Sequence, residues 1–304
     1  MPADLPDRLD LAPELRLVSY AYREEFGQAP AGVWQAPGTV TLLADGELRL
    51  TVATQWGAIA AAGPRPDGIV EPVRMSWPGE RVRLTVAQAA AGAGPAWASP
   101  GLRSAQAGAT LLVNTDLPEG SGVGAGAATQ TAIGLALQDL AGARPARAAD
   151  GPVGGSGGPA GGVALLGERR LPFNLAAAGL RLLIIDTRVR GLPPEPAIER
   201  APAQAAAAAL AAGAIEALGP LLTAAHATLV VSDVQQLAVS AALGAGALGA
   251  RMITDGPGRP VCALVPAERL ADVRGEVVRA FTGRRLRSPR FLTVSPAPGP
   301  RRAA

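Results

Sequence analysis

A strand, a glycine-rich turn and an apolar helix follow one another between residues 109 and 140. This run limits the folds open to the chain more than any other. "ATLLVNT" (109–115) is an extended stretch, and "LPEGSGVGAGAA" (117–128) is the turn. Beyond it Ile133, Leu137 and Leu140 fall at i, i+4 and i+7, with Gly142 placed as a stop, so the helix packs on one side. The free N–H groups and dipole of a first helical turn favour an anion, and glycine lets backbone approach it. Taken alone, the run is equally a tight strand–helix junction in an Ala/Gly-rich chain. Gly120, Gly122 and Ala125 fit the dinucleotide pattern G-x-G-x-x-A, but "DLPE" separates strand from turn and Asp139 lies inside the helix, where a ribose-binding acid does not belong. The lysine-bearing phosphate loop is excluded because the chain has no lysine.

All 28 basic residues are therefore arginine, in a chain rich in alanine, glycine and proline. The net charge is only +3 and aromatics are 3% of residues, which argues against nucleic-acid binding. Arg284, Arg285, Arg287 and Arg290 form the densest basic patch. It reads as an anion contact or a solvated face, and the lack of interleaved aromatics favours the solvated face. The one cysteine, Cys262, sits in "VCALV" and reads as a buried strand thiol. "MPADLPDRLDLAPELRL" lacks the apolar core of a signal peptide, and no stretch reaches membrane-spanning length, so a soluble cytoplasmic protein is expected.

Residues 13–26 read as an amphipathic helix with Leu15, Val18, Tyr22 and Phe26 near one face. Four short extended runs follow: "GVWQAPG", "TVTLLAD", "LRLTVAT" and "GAIAAAG". Residues 82–90 are open between helix and strand. Residues 143–162 are low in complexity and read as a loop or linker. The second half alternates: strand "RLLIIDTRV", an Ala-rich helix over 197–217 with Pro202 in its first turn or at a kink, and a helix over 233–245. Strand "VCALV" comes next, then a helix carrying Leu270, Val273, Val277 and Phe281 on one face, then strand "RFLTVSP". That alternation predicts an α+β layer fold.

Three stretches in order resemble the galactokinases of the GHMP small-molecule kinase family. "APGTVTLLADG" (36–46) is similar to their first motif, A-P-G-R-V-N-L-I-G-E-H-T-D-Y, and "LPEGSGVGAGAA" to their second, P-x-G-A-G-L-S-S-S-A-A. "GALGARMITDGPGRPVCALV" (246–265) is similar to their third. The closing helix and strand are also similar, so the resemblance runs from about residue 24 to the C-terminus. It implies a two-domain α+β fold with the active site between the domains. The N-terminal domain (1–178) would be ribosomal-protein-S5-like and the C-terminal domain (179–304) ferredoxin-like. It further implies ATP, Mg²⁺ and phosphorylation of galactose or a related small sugar. Pro118, Gly120, Ser121, Gly122, Gly124, Ala125 and Gly126 would meet the nucleotide, and Asp45 the sugar.

Residue by residue, the motifs depart from the family. Thr39 stands where the family has arginine, and Gly124, Ala125 and Gly126 stand where it has three serines. The segment after Asp45 is deleted, and "GPVGGSGGPAGG" replaces the stretch bearing the catalytic aspartate. No catalytic residue and no metal ligand is assigned. Asp255, Pro257 and Arg259 replace Gly, Phe and Gly, and an acid at 255 is expected to oppose phosphate unless a cation intervenes. The single histidine, His226, reads as a loop or helix-end residue rather than a base. Two functions follow: a divergent small-molecule kinase acting on a different alcohol, with Ser121 or Asp45 in altered roles, or a non-catalytic descendant that binds a ligand or a partner protein.

Overall fold

The computed structural model describes residues 5, 8, 10–76, 81–117, 122–142, 162–190, 202–255 and 258–304. Helix α1 (Pro13–Phe26) has Pro13 in its first turn and closes at Gly27, whose φ of +70° is left-handed. Its buried Leu15, Val18 and Tyr22 face the sheet.

Strands β1 (Gly32–Asp45) and β2 (Leu48–Arg65) form one long antiparallel hairpin. The four short runs expected here merge into these two strands. The proline and glycine that look like turn punctuation are absorbed by register shifts between Pro37 and Thr39 and between Thr41 and Leu43. Such bulges bend a strand without ending it. Gly57 pairs with Pro37 where a Cβ would run into the Ala36 carbonyl, so its glycine marks a close backbone approach rather than a turn.

The first sheet adds β3 (Ile69–Arg74), β4 (Leu84–Thr85), β5 (Gly108–Thr115), β6 (Gly162–Leu166), β7 (Arg169–Phe173) and β12 (Arg301–Arg302). Its order is β12-β1-β2-β5-β3-β4, with β6 pairing β2 and β7. Residues 82–90 are both structures: β4, then α2 (Val86–Ala90), whose start is fixed by a capping box between Thr85 and Gln88. Because side chains alternate along a strand, Val33, Ile59 and Ala61 face α1, while Trp34, Ala36, Ala58 and Ala60 face the opposite layer. That layer holds α2, α3 (Ser99–Leu102) and α4 (Ala125–Leu140), the helix of the glycine turn.

The chain changes sheets between Phe173 and Leu180. The second sheet is β11-β8-β10-β9, all antiparallel: β8 (Leu180–Asp186), β9 (Gly249–Met252), β10 (Val261–Pro266) and β11 (Arg290–Val294). Helices α7 (Asp233–Gly244) and α8 (Leu270–Gly283) cover one face. Val273, Val277 and Phe281 are buried on the predicted face of α8, and Cys262 is buried in β10. The other face of the sheet, carrying Leu182, Ile184, Cys262 and Leu264, shares a core with Val40, Leu42, Leu50 and Val52 of the first sheet. Helices α5 (Ala203–Ala211) and α6 (Leu218–His226) complete that core. Pro202 caps α5 rather than kinking it. The C-terminus returns to the first sheet, where Arg302 pairs with Trp34.

Candidate functional site

Gly122 and Gly124 both hold left-handed φ angles, +76° and +74°, which cost any other residue roughly 1–2 kcal/mol. Space is the second constraint. A Cβ on Gly124 would lie 2.7 Å from the Thr39 nitrogen and 2.9 Å from its hydroxyl. One on Gly122 would lie 2.5 Å from Pro260 Cδ and 2.9 Å from the Asp255 carbonyl. Gly38 is squeezed in turn: its Cβ would meet the Val123 carbonyl at 2.6 Å and the Leu117 side chain. The turn of the second stretch is thus pressed between the first and the third, and all three meet at one place.

Behind the turn, α4 begins at Ala125 with Gly124 as its cap residue, no side-chain cap and no acid in the first turn. Gly126 is exposed, and a Cβ there meets nothing within 4 Å. The arrangement is a helix N-terminus open to an anion, its N–H groups unclaimed by any side chain among the described residues. Of the expected nucleotide contacts, Gly122, Gly124, Ala125 and Gly126 gather here. Pro118, Gly120 and Ser121 lie outside the described residues, as does most of 143–162.

The expected opposition from Asp255 is met inside the chain. Arg49, on β2, pairs with its Oδ1 at 2.5 Å, and the Thr41 hydroxyl of β1 donates to Oδ2. Arg251, fully buried on β9, donates from Nη1 to the Leu42 carbonyl at 2.9 Å and from Nε to the Met252 carbonyl at 2.9 Å. It pins the third stretch to the first strand. Sequence reasoning did not single out Arg49, Thr41 or Arg251. The only available signal was that Arg251 falls inside the third matched stretch.

Asp45 is not drawn to the turn. It ends β1 at a two-residue hairpin whose first central residue is Gly46, φ +61°, the place such a hairpin puts a glycine. Asp45 is exposed and sits six strand positions from Thr39, up to about 20 Å along extended backbone. Asp139 accepts from Trp34 Nε1 at 3.1 Å and from Arg302 Nη1 at 3.0 Å, so it ties α4 to β1 and the C-terminus. That ends the dinucleotide-turn alternative. His226 sits at the end of α6, buried, as expected of a helix-end histidine. Its Nδ1 accepts from the Met252 N–H at 3.2 Å and its Nε2 bonds the Gln236 amide oxygen at 3.2 Å. Burial lowers its pKa, the Gln236 bond opposes this, and the Arg251 charge adds to it.

The donor chemistry fits phosphate better than metal. Mg²⁺ takes hard oxygen ligands in an octahedron. Residues 124–126 carry no side-chain oxygen, and the Asp255 carboxylate is already engaged. Among the described residues no group of three or more His, Cys, Asp or Glu is placed to hold a metal ion. Among the same residues no helix is long and apolar enough to cross a membrane.

No protein-family model matches the chain. A galactokinase of Streptomyces coelicolor is 29% identical over 94% of this chain and 97% of its own length. That alignment runs over 378 positions, more than the 304 residues present here, so the relative carries whole segments this chain lacks. A galactokinase of Mycobacterium tuberculosis is 41% identical over 98 residues, 31% of this chain and 27% of its own. In three dimensions, Lactococcus lactis galactokinase complexed with galactose matches 95% of this chain and 99% of its own, with a TM-score of 0.79 at 16% identity. Methanococcus jannaschii mevalonate kinase matches 87% of this chain and 98% of its own, with a TM-score of 0.59 at 12% identity. The α+β fold, the three converging stretches and the near full-length relative agree: over nearly its whole length the chain is similar to the galactokinases, and its fold is that of the GHMP small-molecule kinases.

Proposed function

We propose that this chain is a galactokinase-like protein that has kept the nucleotide-phosphate turn and lost sugar phosphorylation, and that it works as a ligand-binding or regulatory protein. The observation that carries this reading is the turn itself. Its two left-handed glycines are locked against Thr39 and Pro260, while the helix N-terminus at Gly126 stays open. ATP fits there through backbone N–H groups, which need no side chain. Phosphoryl transfer relies on positioned charge around the moving group. Here threonine replaces the first-motif arginine, the second motif lacks its hydroxyls, and the residues after Asp45 that would grip a sugar are gone. Mg²⁺ does not fit the described donors, so no step is routed through it. The reading takes the two sheets as the two domains, divided near residues 178 and 179.

A second reading keeps the inherited reaction, ATP-dependent phosphorylation of galactose or a related small sugar. It is favoured by the near full-length match to a protein named galactokinase and to a structure complexed with galactose. ADP release by the purified chain with Mg·ATP, with and without galactose, separates the two. The first reading expects no galactose-dependent rate. Turnover of about 1–100 s⁻¹, ordinary for a kinase, would establish the second.

A further inference from the structure

Strand β8 ends on Asp186, a carboxylate whose side chain is 1% exposed. Arg190 grips it twice, Nη1 on Oδ1 and Nη2 on Oδ2, both at 2.8 Å, and the Arg188 N–H donates to Oδ1 at 2.9 Å. Burial alone would raise the pKa of Asp186. These bonds, with the charges of Arg190 and Arg290, outweigh it and hold the group ionised. One carboxylate and one arginine therefore cancel.

Three more guanidinium groups stand around this pair. Arg290 of β11 lies directly across from Asp186 in the sheet. Arg188 lies two residues past Asp186 and Arg287 three residues before Arg290; the pKa of Arg188 is lowered by burial first, then by the charges of Arg287 and Arg290, while Asp186 raises it. Among the described residues, no carboxylate pairs with Arg188, Arg287 or Arg290. Arg188 also holds a left-handed φ of +62°, a conformation that costs a side-chain-bearing residue. A strained backbone and clustered like charges that the single Asp186 carboxylate offsets only in part both oppose folding.

The cluster adjoins the glycine turn. Strand β10 pairs Val261 with Ile185, the chain neighbours of Pro260 and Asp186. The Pro260 ring lies against Gly122, and neighbouring strands are about 4.8 Å apart. Among the described residues the turn offers N–H dipoles and no side-chain oxygen over 122–128, and the adjacent strand end offers arginines that no carboxylate pairs.

We propose that Arg188, Arg287 and Arg290 form an oxyanion site that takes phosphate groups of a polyphosphate ligand beside the glycine turn and neutralises them in place of a divalent cation. Arginine suits the task because its planar fork stays charged and bonds two phosphate oxygens at once. This rests on the reading that the turn meets phosphate, and it names how the charge is balanced there.

The test is calorimetric titration of the full chain with inorganic tripolyphosphate and with ATP, each in EDTA and each with Mg²⁺. Wild type is compared with Arg188→Ala, Arg290→Ala, Arg287→Glu and Gly126→Asp. The expected result is binding in EDTA that Mg²⁺ does not tighten. Each arginine variant should weaken it by about tenfold or more, with a shallower salt dependence. Arg290→Lys keeps the charge but not the fork and should recover only part of the affinity. Binding that requires Mg²⁺, or no binding at all, or arginine variants that bind as wild type does, overturns the proposal. Gly126→Asp separates this from the reading beneath it. If that variant abolishes ATP binding while the arginine variants keep it, the turn binds phosphate and the arginine site is wrong. If the arginine variants lose tripolyphosphate while Gly126→Asp keeps ATP, the arginine site stands and the turn reading falls.

Discussion

Gly124 and Thr39 touch backbone to backbone: the space a Cβ would need at Gly124 is filled by the Thr39 nitrogen, hydroxyl and carbonyl. The turn cannot move off the first strand without opening the junction of all three matched stretches. Gly124→Val should therefore destabilise the fold by about 2–4 kcal/mol, combining a left-handed penalty with overpacking. Denaturant unfolding measures it. Thr39→Gly added to Gly124→Val should recover only a minor share, because the clashing nitrogen remains.

Arg251 and Arg49 both tie the third stretch to the first, with different weights. Arg251 is buried and satisfies the Leu42 carbonyl, so Arg251→Met should cost about 2–3 kcal/mol by leaving buried acceptors unpaired. The Arg49–Asp255 pair is half exposed, so Arg49→Ala should cost at most about 1 kcal/mol. Its larger effect should be on ligands. Arg49→Ala leaves the Asp255 charge unbalanced beside the turn and should weaken ATP, while the double variant Arg49→Ala/Asp255→Ala should restore it. Equal losses of stability for Arg251→Met and Arg49→Ala would contradict this ranking.

Much of the fold was legible because its signals are local. Pro13 and Gly27 bracket α1, and the 3.6-residue spacing of Val273, Val277 and Phe281 marks the buried face of α8. The long β1–β2 hairpin was not legible. Pro37, Gly38 and Gly57 look like turn residues, and only the partner strand shows that they sit at a bulge and a close backbone approach. The glycine turn could be found from its sequence, but its neighbours could not. Thr41, Arg49 and Leu42 meet Asp255 and Arg251 across more than 200 residues, and an arginine in an alternating strand gives no sign of which acid it will meet. The place of Asp139 inside the helix was legible, but its partners Trp34 and Arg302, 105 and 163 residues away, were not.

His226 gives the fold a pH limb. Its folded pKa is lowered, and an unfolded histidine titrates near about 6.5. Below that pH the unfolded chain takes the proton first, so stability is full above about pH 6.5 and declines as pH falls through the lower folded pKa. Asp186, with its own lowered pKa, should act only further down, below the ordinary carboxylate range. Melting temperature against pH should show the two phases, and His226→Gln should remove the upper one.

Arg285 follows α8 with a left-handed φ of +55°, and its N–H bonds Thr282 while the Leu286 N–H bonds Phe281. This is a Schellman ending, which glycine fits best. Arg285→Gly should stabilise the exposed site by about 1 kcal/mol, read from the shift in denaturant midpoint. A loss of stability would mean that the arginine side chain holds a contact of its own.

The central claim is that the turn at Gly122–Gly126 still meets a phosphate. Calorimetric titration of ATP into wild type and into Gly126→Asp tests it most directly, because that position has room for a side chain and the new carboxylate opposes a phosphate at the helix start. Saturable heat in wild type and none in a folded Gly126→Asp is the predicted result. No heat in wild type, or the same affinity in both, would contradict it.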